Sequence, residues 1–405
     1  MMNKKKLELY IHIPFCAKKC AYCDFLSFPG NVQMQREYME QLGEEIRLQA
    51  ASCSEYQVVS IFIGGGTPSI LNASDLLELM ETLKTSFTIL PEAEITMEAN
   101  PGTVKLDSLK DYRAAGINRI SLGLQSADDT ELGYLGRIHT FDEFLKTYQR
   151  VRMAGFSNVN VDLISAIPGQ TLDSWKNTLK KVTMLKPEHI SAYSLIVEEG
   201  TPFYDRYGAH VELSDDCLTS DERRRLMALP ELPDEDTERE MYYLTQTLLA
   251  EQGYERYEIS NYSRPGFECA HNIGYWTGTE YLGLGLGSSS YIDGCRFHNT
   301  SDFKEYTTAH LDQEEDFQKC LRQEFETLTR EERMEEYMFL GLRLMRGVSA
   351  LGFITRFGQS IRSIYGSILD QLAADGLLEY VSGYYRLTER GIDLSNYVMS
   401  KFLLN

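Results

Sequence analysis

Three thiols fall within eight residues in LELYIHIPFCAKKCAYCDF, where Cys16, Cys20 and Cys23 are spaced C-x3-C-x2-C directly after an apolar, β-type run. Thiolates ligate zinc or iron–sulfur clusters. Structural zinc takes four ligands, usually as two separated pairs, and no second Cys or His pair follows at a suitable distance. A redox pair, Cys20 with Cys23, leaves Cys16 without a role. Three cysteines on one short loop suit a 4Fe–4S cubane with three irons held by protein and the fourth open to a small ligand. The other five cysteines, Cys53, Cys217, Cys269, Cys295 and Cys320, are scattered and read as small apolar groups in a reducing compartment.

A second glycine-rich stretch, IFIGGGTPSIL (61–71), also follows an apolar strand. It lacks both the Lys-Ser/Thr of a phosphate-binding loop and the spacing of a dinucleotide fingerprint. Its glycines admit close backbone approach to a ligand, and Thr67 offers a hydroxyl. Further polar residues, Glu98, Gln125 and Asp162, stand at or just beyond strand ends, and Arg137 follows a helix.

These residues need a scaffold. Strand-like runs at Leu7–Ile13, Val58–Ile63, Glu94–Ala99, Arg119–Leu124, Asn158–Ile164 and His189–Ile196 alternate with helical patterns at 34–51, 74–86, 105–115, 127–135, 141–154 and 171–185. Ser74 and Asp75 read as an N-cap, and Gly116 and Gly155 as helix stops. Six βα units in succession predict a parallel sheet with helices outside, either doubly wound or curved into a partial barrel, with chemistry at the C-terminal strand ends. Residues 201–327 are less regular: a helix, an acidic Pro-containing break, a helix ending at Gly253, then an aromatic, glycine-rich stretch. There Gly283, Gly285 and Gly287 read as close backbone packing. From Leu328 the pattern changes to short helices and a hairpin around Ser382–Gly383, resembling a winged-helix module. The expected organisation is a core over 1–200, an extension over 201–327 and a C-terminal module over 328–405.

A formal net charge of −20 over 405 residues excludes a general nucleic-acid binder and electrostatic docking on anionic lipid. No apolar run approaches a membrane span and the first residues lack a signal-peptide stretch, so the expected location is cytoplasmic.

The C-x3-C-x2-C loop after a first strand, with Tyr22 before the third cysteine, resembles the signature of the radical S-adenosylmethionine (SAM) superfamily. The resemblance implies an α/β partial (β/α)6 barrel, a 4Fe–4S cluster on Cys16, Cys20 and Cys23, and SAM chelating the open iron for cleavage to a 5′-deoxyadenosyl radical. Within it the chain is similar to the coproporphyrinogen-oxidase-like branch. That similarity implies a SAM site of Tyr10, Tyr22, Gly65, Gly66, Thr67, Glu98, Gln125, Arg137 and Asp162, with Gly65, Gly66 and Thr67 near the methionine amino group, Arg137 at the carboxylate and Asp162 at the ribose. HemN-type coproporphyrinogen III dehydrogenases carry a further cysteine two residues after the third and a long N-terminal extension; this chain has Phe25 there, and Cys16 lies near the start.

The segment HNIGYW, from His271 to Trp276, resembles the H-N-x-x-Y-W motif of the HemW haem-chaperone family. This implies haem bound by His271 with Tyr275 and Trp276 lining the macrocycle, haem-accepting target proteins (respiratory ones among them), an electron donor protein and a homodimer. From the residues alone, His271 and Asn272 could equally hydrogen-bond the backbone of a buried loop. Ser288–Ser290 occupy a position where many relatives have Gly-Ala-His. The remaining histidines, His12, His139, His189, His210, His298 and His310, have no comparable setting, although His139 is beside Arg137. The competing readings are an anaerobic porphyrinogen decarboxylase and a zinc-stabilised binding module.

Overall fold

The computed structural model describes residues 4–208, 220–309 and 321–404; Cys217, Cys320, His210 and His310 lie outside them. Six parallel strands, β1 (Lys5–Ile13), β2 (Tyr56–Gly65), β3 (Ile89–Ala99), β4 (Arg119–Gln125), β5 (Val159–Ser165) and β6 (His189–Ser194), lie side by side in chain order. A doubly wound sheet would reverse that order at a switch point. Its absence leaves the partial barrel of the two expected architectures. Between the strands run α1 (Val32–Ser52), α2 (Ala73–Ser86), α3 (Leu106–Ala114), α4 (Asp129–Tyr134), α5 (Phe141–Met153) and α6 (Leu172–Met184).

Alternation along β1 sets the two faces of the sheet. Leu7, Leu9, Ile11 and Ile13 are fully buried in the main core, which α1, α2, α3, α5 and α6 cover with residues such as Leu42, Leu79, Leu109, Phe144 and Trp175. Glu8, Tyr10 and His12 point to the opposite, inner face. Gly116 and Gly155 take the expected left-handed conformation after α3 and α5, at φ of 103° and 91°. The cap of α2 is Asn72, two residues before the expected Ser74: Asp75 N–H reaches the Asn72 carbonyl at 3.1 Å, so Asp75 already sits in the first turn.

The later chain extends the sheet at both edges, which the irregular pattern of 254–327 conceals. After α7 (Pro202–Tyr207), α8 (Ser220–Met227) and α9 (Glu235–Glu251), the short strands β7 (Glu255–Arg256) and β8 (Asn261–Ser263) add beside β6. Following α10 (Ala270–Thr277), strand β9 (Glu280–Leu284) pairs parallel to β1, with Leu7 opposite Glu280. Strands β10 (Ser289–Ile292) and β11 (Cys295–Asn299), then α11 (Phe303–Thr308) and β12 (Arg322–Thr327), complete a sheet of twelve strands among the described residues. Gly283 packs against the Ser288–Ser289 turn, so the glycine pattern does serve close packing.

A second hydrophobic cluster forms from α12 (Arg330–Gly341), α13 (Ala350–Phe357) and α14 (Ile361–Ala374). It includes a small antiparallel sheet of β13 (Val348–Ser349), β14 (Leu378–Val381) and β15 (Tyr384–Leu387). The β14–β15 hairpin turns at Ser382–Gly383, as expected. Among the described residues no helix is long and apolar enough to cross a membrane.

Candidate functional site

The cysteine loop is pinned at its feet and its middle. Phe28 N–H donates to the Pro14 carbonyl at 2.9 Å and Cys16 N–H to the Phe28 carbonyl at 3.0 Å. Ala21 N–H donates to Leu135, and Phe203 N–H donates back to Ala21. The glycine run joins the same foot: Gly66 N–H bonds the Ile13 carbonyl and Thr67 N–H the Phe15 carbonyl, both at 2.8 Å. Gly65 has φ of 105°, and a Cβ there would meet the His12 imidazole.

Over this loop and the C-terminal strand ends lies a cavity of about 480 Å³. Its walls carry Cys16, Cys20, Cys23 and Tyr22, the glycines Gly65 and Gly66, and Thr67, Glu98, Gln125, Arg137 and Asp162. Of the nominated SAM residues, Tyr10 alone is outside the lining; its hydroxyl donates to His12 Nδ1 at 3.1 Å. His12 in turn donates Nε2–H to the Leu26 carbonyl at 2.8 Å, and burial keeps its ring neutral. His139 is buried too, bonded to the Leu124 backbone, and is not part of the lining.

Thr67 Oγ1 stands 3.4 Å from Cys16 Sγ and accepts from Asn100 Nδ2 at 2.7 Å. Arg137 donates to Asn100 Oδ1 and to the Gly123 carbonyl, both at 2.7 Å. Asp162 is held by Ser121 Oγ at 2.9 Å and Asn160 Nδ2 at 2.7 Å. Burial raises its pKa, against those hydrogen bonds. Glu98, accepting from Gly65 N–H at 3.1 Å, is pushed up to about 8 by burial first and the Asp162 charge second. Asn100, Ser121 and Asn160 were not singled out in the sequence. Alternation from Glu98 and Asp162 would have found Asn100 and Asn160, since residues two apart share a strand face.

The chemistry of this donor set fits a cluster with one open iron: three thiols from a single anchored loop share a cavity wall with an arginine, a carboxylate pair and a backbone cradle. Phe25 is at the rim, two-thirds exposed at 66%.

HNIGYW is elsewhere. It forms α10, against the inner face of the sheet beneath the cavity. His271 is buried, stacks on Phe62 with ring centroids 5.3 Å apart, and has both nitrogens engaged. Ser60 donates to Glu8 Oε1 at 3.0 Å, so His271 Nδ1–H donates to Ser60 Oγ at 2.9 Å. Nε2 then accepts from the Tyr275 hydroxyl at 3.0 Å. Burial lowers the His271 pKa to about 3, keeping the imidazole neutral. Its partners are thus side chains, Ser60 and Tyr275, and not the loop backbone that the residues alone had left open as one of two readings. Glu8 is pushed up to about 9 by burial, and its Oε2 has no hydrogen-bond partner. Trp276 packs under the Arg343 guanidinium at 4.4 Å, and its buried indole N–H also lacks an acceptor. A chain of rings, His271, Phe62 and Tyr10, links α10 to the strand carrying the cysteine loop, with Phe62 and Tyr10 stacked at 6.4 Å. Ser288 and Ser290 hold the β9–β10 turn through the Gly285 carbonyl and Gly283 N–H.

Residues 10–182 match the Radical SAM superfamily and residues 328–394 the HemN C-terminal domain. The chain is 36% identical over 404 residues to the heme chaperone HemW of Lactococcus lactis, covering 100% of this chain and 99% of that protein. It is also 36% identical over 398 residues to the heme chaperone HemW of Bacillus subtilis, covering 97% and 98%. The coproporphyrinogen III oxidase (HemN) of Escherichia coli, a radical SAM enzyme, has the same fold, with a TM-score of 0.80 at 24% identity over 99% of this chain and 90% of that one.

Proposed function

Because the chain belongs to the HemW family of haem chaperones within the radical SAM superfamily, we propose that it binds haem and passes it to haem-dependent proteins, under the influence of a 4Fe–4S cluster and SAM. The observation that carries the cofactor reading is the shared cavity of Cys16, Cys20, Cys23, Arg137 and Asp162. The thiolates of the three cysteines would hold three irons. Bound there, the cluster supplies one electron to a sulfonium. Arg137, fixed by Asn100 and Gly123, offers charge to the methionine carboxylate; Thr67 and the Gly65–Gly66 backbone line the amino end; Asp162, steadied by Ser121 and Asn160, offers oxygens to ribose hydroxyls. Haem would take the Nε2 of His271, whose tautomer already leaves that nitrogen as the lone-pair side. Target proteins, an electron donor, a cytoplasmic location and a homodimer belong to the same reading.

A second reading, oxygen-independent coproporphyrinogen III dehydrogenase, draws support from a cavity lined by every expected SAM residue except Tyr10. Phe25 at the rim, where that enzyme type has another cysteine, weighs against it. Anaerobic reconstitution tests both. Wild type should acquire iron, sulfide and a brown absorption that Cys20→Ala lacks. It should bind haem stoichiometrically, with a spectrum changed in His271→Ala, and leave coproporphyrinogen III unchanged in the presence of SAM and a reductant. Turnover to protoporphyrinogen IX would overturn the chaperone reading.

A further inference from the structure

Beside α10, on the side facing the C-terminal cluster, is a small cavity of about 30 Å³ whose walls include Tyr275, Tyr337, Arg296, Arg333, Arg356 and the carboxylate of Glu336. Three guanidinium groups converge there in a chain whose net charge is −20. Arg296 is neutralised by Glu336 at 2.6 Å. Arg333 and Arg356 form no ion pair among the described residues. Arg333 reaches only the Thr329 carbonyl, at 3.4 Å, and Arg356 the Thr277 and Gly278 carbonyls, at 3.5 and 3.3 Å. Glu336 is the one carboxylate in the lining and also feels the Arg356 charge, so three guanidinium groups face a single carboxylate within a ring of tyrosines. Its volume suits one carboxylate or a water, not a macrocycle.

Tyr275 belongs to both settings: its side chain walls this pocket, and its hydroxyl caps the nitrogen of His271 that would meet iron. We propose that the Arg333–Arg356 pocket is a carboxylate site that receives one propionate of haem, while Tyr275 gives up His271 to the iron. This rests on haem binding at α10 and deepens it, placing the acidic edge of the porphyrin at the junction of β9–β11 with α12 and α13. Guanidinium forks are matched to carboxylates in geometry as well as charge. The hydroxyl of Tyr275 keeps its proton throughout; only its acceptor changes.

Two porphyrins, one lacking iron and one lacking free carboxylates, test this on the full-length protein. Metal-free protoporphyrin IX, which offers no iron to His271, should still bind wild type when followed by fluorescence. Its affinity should fall about tenfold or more in Arg333→Gln/Arg356→Gln, the scale of charged hydrogen bonds. Arg356→Lys, which keeps the charge, should recover part of the loss, and circular dichroism and thermal melting check that each variant is folded. Haem dimethyl ester should bind wild type about as weakly as haem binds the double variant. If haem binds through His271 while neither esterification nor arginine removal changes affinity, the carboxylate pocket is refuted and the chaperone reading stands. If wild type binds neither haem nor protoporphyrin, both fall.

Discussion

The Arg137 guanidinium stands 3.6 Å from the Cys20 sulfur while two further hydrogen bonds fix it to Asn100 and Gly123. One side chain thus borders the thiols and the strand ends together, although it follows a helix and not a strand. Arg137→Gln should weaken SAM binding to reconstituted protein about tenfold or more, as expected for loss of a charge-assisted contact. Isothermal titration checks this, and unchanged affinity would remove Arg137 from the carboxylate role.

Tyr275→Phe deletes the hydroxyl that occupies His271 Nε2. An ordinary hydrogen bond contributes about 1 kcal/mol net, so haem should bind about fivefold more tightly once the competitor is gone. A Soret titration reads the change. Weaker binding would mean that Tyr275 helps hold haem directly.

Glu98 makes stability depend on pH. Its carboxyl is raised from an ordinary 4.5 to about 8, because burial and the Asp162 charge disfavour the anion. A raised folded pKa stabilises fully below the unfolded value, and that contribution is lost as pH rises towards 8. Glu98→Gln, permanently neutral, should therefore melt with a shallower decline than wild type between pH 5 and 8 in matched differential scanning fluorimetry. Parallel curves would show that Glu98 does not carry this burden.

A methyl group at position 274 would run into the Glu8 carboxyl group, which is buried and has little room to yield. Gly274→Ala should destabilise the fold by about 1–3 kcal/mol in urea titration, the usual scale of overpacking. Adding Glu8→Ala opens the space, so the double variant should lose less than the single effects summed. Strict additivity would place the strain elsewhere.

Sequence periodicity revealed β1 to β6 because strands buried by helices carry continuous apolar runs, and amphipathic patterns placed α1 to α6 to within a few residues, with a cap signal at α2 and glycine stops after α3 and α5. Strands β9 to β12 were hidden because their glycines and aromatics follow neither period. The cavity was largely readable because its residues sit at strand ends in short contiguous motifs. The His271 network was not, since Ser60 and Glu8 come from strands more than two hundred residues earlier and only the folded sheet brings them under α10. Nor does spacing reveal that three arginines from β11, α12 and α13 meet at Tyr275.

The pairing of Leu7 with Glu280 has a consequence for biogenesis. As the chain leaves the ribosome, its first strand can find β2 early but waits for its other neighbour until most of the polypeptide has been made. During that interval β1 presents an unpaired edge, the kind of surface that recruits foreign strands. Fragments ending before β9 should be prone to aggregate, and nascent chains stalled there should depend on holding factors.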